Sequence, residues 1–265
     1  MADIQPDWLS ASPTLFVQSE GQSCEKFFSN FFADTEHFLL RGTGGCGNMT
    51  PEYYSVITNL TEALGGNPQD SSSKKFNGFC LFGGTRMIRK DDPTKVVQGI
   101  TESFPPLKDR CPRARVLGVV VKAGILRTTP YGMIVSEGKD DPYVTIIHPQ
   151  QHSVLLLQPT VDRQADWNAE WMRVAEICKA QAANRWQGLL TVGNGGGVTE
   201  NELLYWAEAG LEDPFYRVLL VRGSGGRADK FAENQKFLDA HPHVHVCRND
   251  VSNMRDKLEE LGAIT

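Results

Sequence analysis

Leu189-Leu-Thr-Val-Gly-Asn-Gly-Gly-Gly-Val-Thr-Glu200 and Val218-Leu-Leu-Val-Arg-Gly-Ser-Gly-Gly-Arg227 follow one plan: a short apolar run, a glycine cluster, then residues that start a helix. The plan occurs twice more, in Phe38-Leu-Leu-Arg-Gly-Thr-Gly-Gly-Cys-Gly47 and Phe79-Cys-Leu-Phe-Gly-Gly-Thr-Arg86. Short, continuously apolar runs suit strands covered on both faces, as in a parallel sheet. A strand that turns through glycine into a helix presents bare backbone N–H groups and the positive end of the helix dipole, so it attracts anions. Several such turns along one sheet edge point to a phosphate-bearing ligand.

Working outward, period and punctuation predict strands at 14–18, 38–41, 78–82, 116–122, 143–148, 154–158, 189–192, 217–221 and 243–247. Helices are expected at 24–33, 50–64, 95–104, 166–186, 200–210, 228–240 and 252–261. Phe27, Phe28, Phe31 and Phe32 make one apolar helix face, read as core. Strands alternating with helices imply an α/β fold: a Rossmann-like, doubly wound, mainly parallel sheet with helices on both faces. Residues 65–75, with Gly-Gly-Asn-Pro and Ser-Ser-Ser-Lys-Lys, are the most linker-like stretch. We therefore read 1–70 as an α/β segment packed onto the same sheet as a Rossmannoid unit spanning 76–265. The Gly-, Pro- and Asp-rich residues 124–142 read as an excursion from the core.

The net charge is −5, so no basic field favours nucleic acid or an anionic membrane, and an anion must be held locally. Cysteines 24, 46, 80, 111, 178 and 247 form no C-x-x-C pair, and buried free thiols in a reducing cytoplasm are expected. The first residues lack the pattern of a secretory leader, and no apolar stretch approaches the ~20 residues of a membrane span. Asn48 and Asn59 are accordingly read as unglycosylated. His241-Pro-His-Val-His245 puts histidines on one strand face without a further ligand cluster in sequence, so no metal is expected. No Gly-Lys-Ser/Thr follows the first glycine cluster, which excludes a P-loop, and no G-x-S-x-G elbow occurs.

The third loop, Gly195-Gly196-Gly197-Val198-Thr199-Glu200-Asn201-Glu202, resembles the glycine-glycine-x-glycine-threonine-x-x-glutamate signature of the LOG family. Members of that family cleave the ribose-base bond of nucleoside monophosphates. The resemblance implies that Gly195, Gly196, Gly197 and Thr199 cradle phosphate and that Glu202 acts at the ribose with an upstream arginine, for which Arg86 is the candidate. Asn194 stands where the family has proline, and Val198 replaces its last glycine, filling a place the family leaves bare. Read without the resemblance, Thr199-x-x-Glu202 is a capping box that needs no ligand.

The fourth loop has the Gly223-x-Gly225-x-x-Ala228 spacing of a dinucleotide turn, with Asp250 after the next strand as a candidate ribose acid. It also resembles the last glycine loop of the SLOG domain found at the N-terminus of TRPM channels. Phe82-Gly83-Gly84-Thr85-Arg86, a helix and then Val116–Lys122 look like the strand, turn, helix and next strand of that domain. The resemblance covers about residues 76–250. It implies a TRPM-like SLOG protein of the prokaryotic stand-alone type, within the SMF/DprA-LOG superfamily, holding a nucleotide or NAD-derived ligand such as ADP-ribose. Gly83, Gly84, Thr85, Arg86, Gly223, Ser224, Gly225, Gly226 and Arg227 then join the binding set. Arg86, Arg222 and Arg227 are the cations suited to bidentate phosphate contact.

Three functions follow as expectations. The first is a cytoplasmic ligand sensor or effector requiring no cofactor beyond its ligand. The second is a LOG-like N-glycosidase using Glu202 and Arg86. The third is a ligand-free scaffold. The expected partner is a small-molecule nucleotide, with a homo-oligomer through the Trp-bearing helix as an option, and neither nucleic acid nor membrane.

Overall fold

The computed structural model describes residues 14–18, 37–44, 51–67, 69, 73–97, 100–104, 106–111, 113–121, 127–139, 141–149, 153–157 and 167–265. In chain order the elements are β1 (Thr14–Gln18), β2 (Phe38–Thr43), α1 (Pro51–Gly65), β3 (Phe79–Phe82), β4 (Thr85–Arg89), β5 (Val96–Val97), a 3-10 turn (Ile100–Ser103), α2 (Leu107–Arg110), β6 (Arg115–Val121), β7 (Arg127–Thr129), β8 (Gly132–Glu137), β9 (Tyr143–Ile147), β10 (Ser153–Leu157), α3 (Trp167–Ala183), β11 (Gln187–Val192), α4 (Gly197–Ala209), β12 (Tyr216–Arg222), α5 (Gly226–Ala232), α6 (Gln235–Ala240), β13 (Val244–Arg248) and α7 (Val251–Glu260). The predicted helix 24–33, with its four phenylalanines, lies outside the described residues.

The apolar runs pair as an eight-stranded sheet in the order β1-β10-β6-β3-β2-β11-β12-β13. Every pairing in it is parallel. Because side chains alternate across a strand, the two faces of β2 and β11 carry different sets. Leu39, Leu190 and Val192 pack with Val174, Ile177, Leu203 and Trp206, from α3 and α4. Leu40 and Leu189 pack with Val56, Leu60, Met254 and Leu258, from α1 and α7. On α4 the buried Leu203, Trp206 and Ala207 recur at helical spacing, as do Val56, Leu60, Ala63 and Leu64 on α1, so one stripe of each helix meets the sheet. The doubly wound architecture expected from the alternation is thus present, and β2 of the N-terminal segment lies between β3 and β11.

The winding reverses at β2. From there the chain builds outward through β3, β6 and β10 on one side, then returns to place β11 against the other side of β2 and continues to β12 and β13. In open α/β sheets such a reversal leaves a crevice beyond the carboxyl ends of the two diverging strands. Here those ends carry the first and third glycine loops.

The second loop departs from expectation. Gly83-Gly84 leads into a strand, not toward a helix at 95–104, where the chain forms the two-residue β5 and a 3-10 turn. β4, β5, β7, β8 and β9 make a separate antiparallel sheet in the order β5-β4-β9-β8-β7. Residues 124–142 accordingly contribute two strands. The physical reason is local: Thr85-Arg-Met-Ile-Arg89 and Val96-Val97 flank an Asp-Asp-Pro-Thr turn, in which Asp92 accepts from the Thr94 amide and hydroxyl. Val135 and Ile147 of this sheet pack on Val120 of β6, joining it to the main sheet. The predicted helix 228–240 is also broken, because Asn234 accepts from the Phe237 amide at 3.1 Å and starts α6 afresh.

Gly84 fixes the step between the two sheets. Its φ is +63°, and a Cβ there would lie 2.7 Å from the Gly118 Cα on β6. Gly84→Ala is expected to cost about 2–4 kcal/mol of stability in urea denaturation, the sum of left-handed strain and backbone displacement.

Candidate functional site

At the carboxyl end of β11 the third loop is gripped from behind. The Gly193 amide donates to Thr43 O at 3.3 Å, joining it to the first loop. Asn194 and Gly195 both take positive φ, 57° and 96°. The Asn194 amide donates to Ser224 Oγ at 2.9 Å. The Asn194 and Gly195 carbonyls accept from the amides of Ala228 at 3.0 Å and Arg227 at 3.2 Å. A side chain at Gly226 would collide with Asn194 and stand 2.7 Å from Gly195 O, so glycine is needed for this approach.

With the Asn194 and Gly195 carbonyls turned toward the fourth loop, the amides of Gly195 and Gly196, on the opposite edge of the same trans peptides, point the other way. Helix α4 begins at Gly197 after an extended Gly196, and no side chain caps it. The amides of Gly195, Gly196, Gly197, Val198 and Thr199 meet no acceptor among the described residues. A Cβ built on Gly196 or Gly197 would touch nothing within 4 Å. The capping box does not form. Thr199 already lies within the helix, which starts at the glycines, and Glu202 turns to an arginine instead. Val198 is exposed.

The fourth loop differs in kind. The amides of Gly223, Ser224 and Gly225 donate to the Asp229 carboxylate at 2.7, 3.3 and 3.0 Å. The anion that such a nest attracts is supplied from within. Ser224 Oγ donates to Val221 O, and Arg227 pairs with Glu200 at 3.0 Å. Arg222 donates to Ala232 O, and Asp250 caps α7 by accepting from the Asn253 amide. Each of these groups therefore has an internal partner.

Glu202 and Arg86, linked in the sequence reading, have separate partners. Glu202 is held by Arg41 of β2 through Nε–Oε1 at 2.7 Å and Nη2–Oε2 at 3.1 Å, with both side chains buried. The carboxylate of Glu170, in the first turn of α3, lies 3.9 Å from the same guanidinium. Burial acts against the Arg41 charge, but the charge and hydrogen bonds of Glu202 outweigh it and hold this arginine above its ordinary pKa. Arg86 binds Glu102 in a fork at 3.1 and 2.6 Å, with His148 Nε2 2.6 Å from its Nη2. This second cluster ties the antiparallel sheet to the 3-10 turn.

Arg41, Glu170 and Asp229 were not singled out from sequence. Arg41 had a readable signal: it is the one charge inside the apolar run 38–42, and a charge buried in a strand needs a buried partner.

Burial pushes the thiols of Cys111 and Cys247 up to about 11 and about 12, and those of Cys80 and Cys178 also upward, which makes them poor nucleophiles. His243 Nε2 lies 2.7 Å from Ala207 O, and His241 Nδ1 lies 2.8 Å from Phe237 O. Among the described residues no cluster could hold a metal ion, and no helix is long and apolar enough to cross a membrane. Comparison with protein-family models and with curated proteins gives no match.

Two predictions follow from these environments. Arg41→Leu removes the bidentate partner of the buried Glu202 carboxylate and is expected to cost about 3–5 kcal/mol in urea denaturation, whereas Arg41→Leu with Glu202→Leu costs less than the single change. Burial holds His243 and His245 below the ordinary imidazole value, so they fold neutral. Their stabilisation is complete above the unfolded value of about 6.5 and is lost as pH falls below it. The melting temperature should drop between pH 7 and 5.5, and should drop less when both histidines are replaced by glutamine.

Proposed function

We propose that the chain is a cytoplasmic sensor or effector that binds a nucleotide or NAD-derived ligand of the ADP-ribose class at the crevice between β2 and β11. The observation that carries this reading is the row of amides, Gly195 to Thr199, that meet no acceptor among the described residues at the start of a 13-residue helix. Successive backbone donors at a helix N-terminus fit a phosphate group. The fourth loop supports the reading by contrast: its nest is filled by Asp229, whereas no described side chain plays that part in the third.

Hydrolysis is the weaker alternative. An N-glycosidase of the LOG type would use Glu202 at the ribose, but both its carboxylate oxygens are engaged by Arg41. The geometry favours holding a ligand over cleaving it.

The test is calorimetric titration with ADP-ribose, cyclic ADP-ribose, NAD and AMP, with chromatography of the recovered ligand. At least one should bind and be recovered intact. Gly196→Asp places a carboxylate before the amides, as Asp229 stands before the fourth loop, and also supplies a helix cap. It should abolish binding without lowering the melting temperature. Absence of binding to the unmodified protein, or unchanged binding to the variant, contradicts the proposal; released base installs the hydrolytic reading.

A further inference from the structure

Arg41 and Arg217 are both drawn into the protein, yet only Arg41 has a countercharge. Arg217, the second residue of β12, sets its guanidinium 5.5 Å from the centre of the Phe38 ring. Its Nη1 donates to Leu261 O at 2.8 Å, its Nε to Gly188 O at 3.3 Å and its Nη2 to Gln187 Oε1 at 3.3 Å, all of them neutral acceptors. A guanidinium carries five N–H groups, so two remain, the number that a carboxylate fork takes. Among the described residues no carboxylate pairs with it. Burial alone therefore holds Arg217 below its ordinary pKa, where Glu202 holds Arg41 above. A cation withdrawn from water with no opposite charge is costly to keep.

Arg217 also lines a cavity of about 510 Å³ at the amino ends of β11 and β12, a volume typical of small-molecule sites. The buried Trp186 and Phe215 line it too, as do Arg185 and Asp213. Arg185 is exposed just past the end of α3 and makes no ion pair among the described residues. Asp213 Oδ1 accepts from the Phe215 amide at 2.9 Å. Two guanidiniums against one carboxylate leave the lining with one positive charge in excess. We infer that this cavity is a second ligand site, for a small carboxylate with a flat apolar body, anchored by Arg217 and steered by Arg185. A single negative charge matches the single excess positive one, whereas a phosphate dianion would bring a charge that Asp213 repels. The Trp186 and Phe215 rings suit a flat apolar body. β11 is six residues long, which sets the cavity about 20 Å from the third glycine loop. The two sites lie at opposite ends of that strand, so neither reading depends on the other.

Titration of the full chain with benzoate, followed by amide NMR, tests this. Saturable shifts are expected at the Arg185, Gln187, Phe215 and Arg217 amides and at the Trp186 indole, with a Kd on the order of 1–10 mM for so small a probe. Benzyl alcohol lacks the charge, acetate lacks the ring and inorganic phosphate carries too much charge, so each should bind about tenfold or more weakly. Arg217→Gln should abolish benzoate binding, and Arg185→Ala, at an exposed position, should weaken it about threefold. Absence of shifts at the cavity, or any of the three control compounds matching benzoate, overturns the proposal, and these comparisons need no variant. Undiminished benzoate binding in a folded Arg217→Gln protein overturns it as well.

Discussion

The grip between the third and fourth glycine loops organises this end of the molecule. Two carbonyls, of Asn194 and Gly195, accept amides from the start of α5, and the Asn194 amide returns a bond to Ser224. A peptide whose carbonyl is committed to one side presents the next amide to the other. The positive φ values at Asn194 and Gly195 are the backbone form of that constraint. The amides of the fourth loop find Asp229, and the row at the head of α4 meets no acceptor among the described residues. The two loops look alike in sequence but have opposite roles, one as clasp and one as candidate cradle.

Beneath the clasp, one guanidinium binds three elements together. Arg41 rises from β2 at the reversal of winding, takes Glu202 from α4 in a fork and stands within ion-pair range of Glu170 from α3. A charge as buried as that of Arg41 is tolerated only because its partners are oriented for it. The fold therefore places a fixed, charged floor under the point where a doubly wound sheet offers a crevice. An apolar trio would pack the same space without desolvation cost, so the cluster adds little net stability.

The sheet was largely legible because its strands are apolar on both sides and its helices carry clear stripes; the 187–192, 197–209 and 216–222 elements lie within a few residues of their sequence reading. Of the antiparallel sheet only β9 was legible, because its other strands, of two to six residues separated by Asp, Pro and Gly, are too short to show a period against the turns between them. The site was legible in its loops and illegible in its charges. Loop composition announces where backbone donors appear, but whether they are satisfied depends on Asp229 and on which carbonyls face them, a matter of three-dimensional approach. The partnership of Arg41 with Glu202 spans 161 positions and joins β2 to the helix after β11 only because β11 returns to β2. The sequence suggested a reversal of this type but not which strands would flank it, so Arg86 was matched to Glu202 on motif order alone.

The account rests on one asymmetry, that donors of the third loop face a ligand and donors of the fourth face Asp229. Amide chemical shifts followed by NMR during titration with ADP-ribose and AMP report on both loops in a single experiment. The account predicts saturable shifts at Gly195, Gly196 and Gly197 with Gly223, Ser224 and Gly225 unmoved. Shifts confined to Gly223–Gly225, or no shift at any of the six, would contradict it.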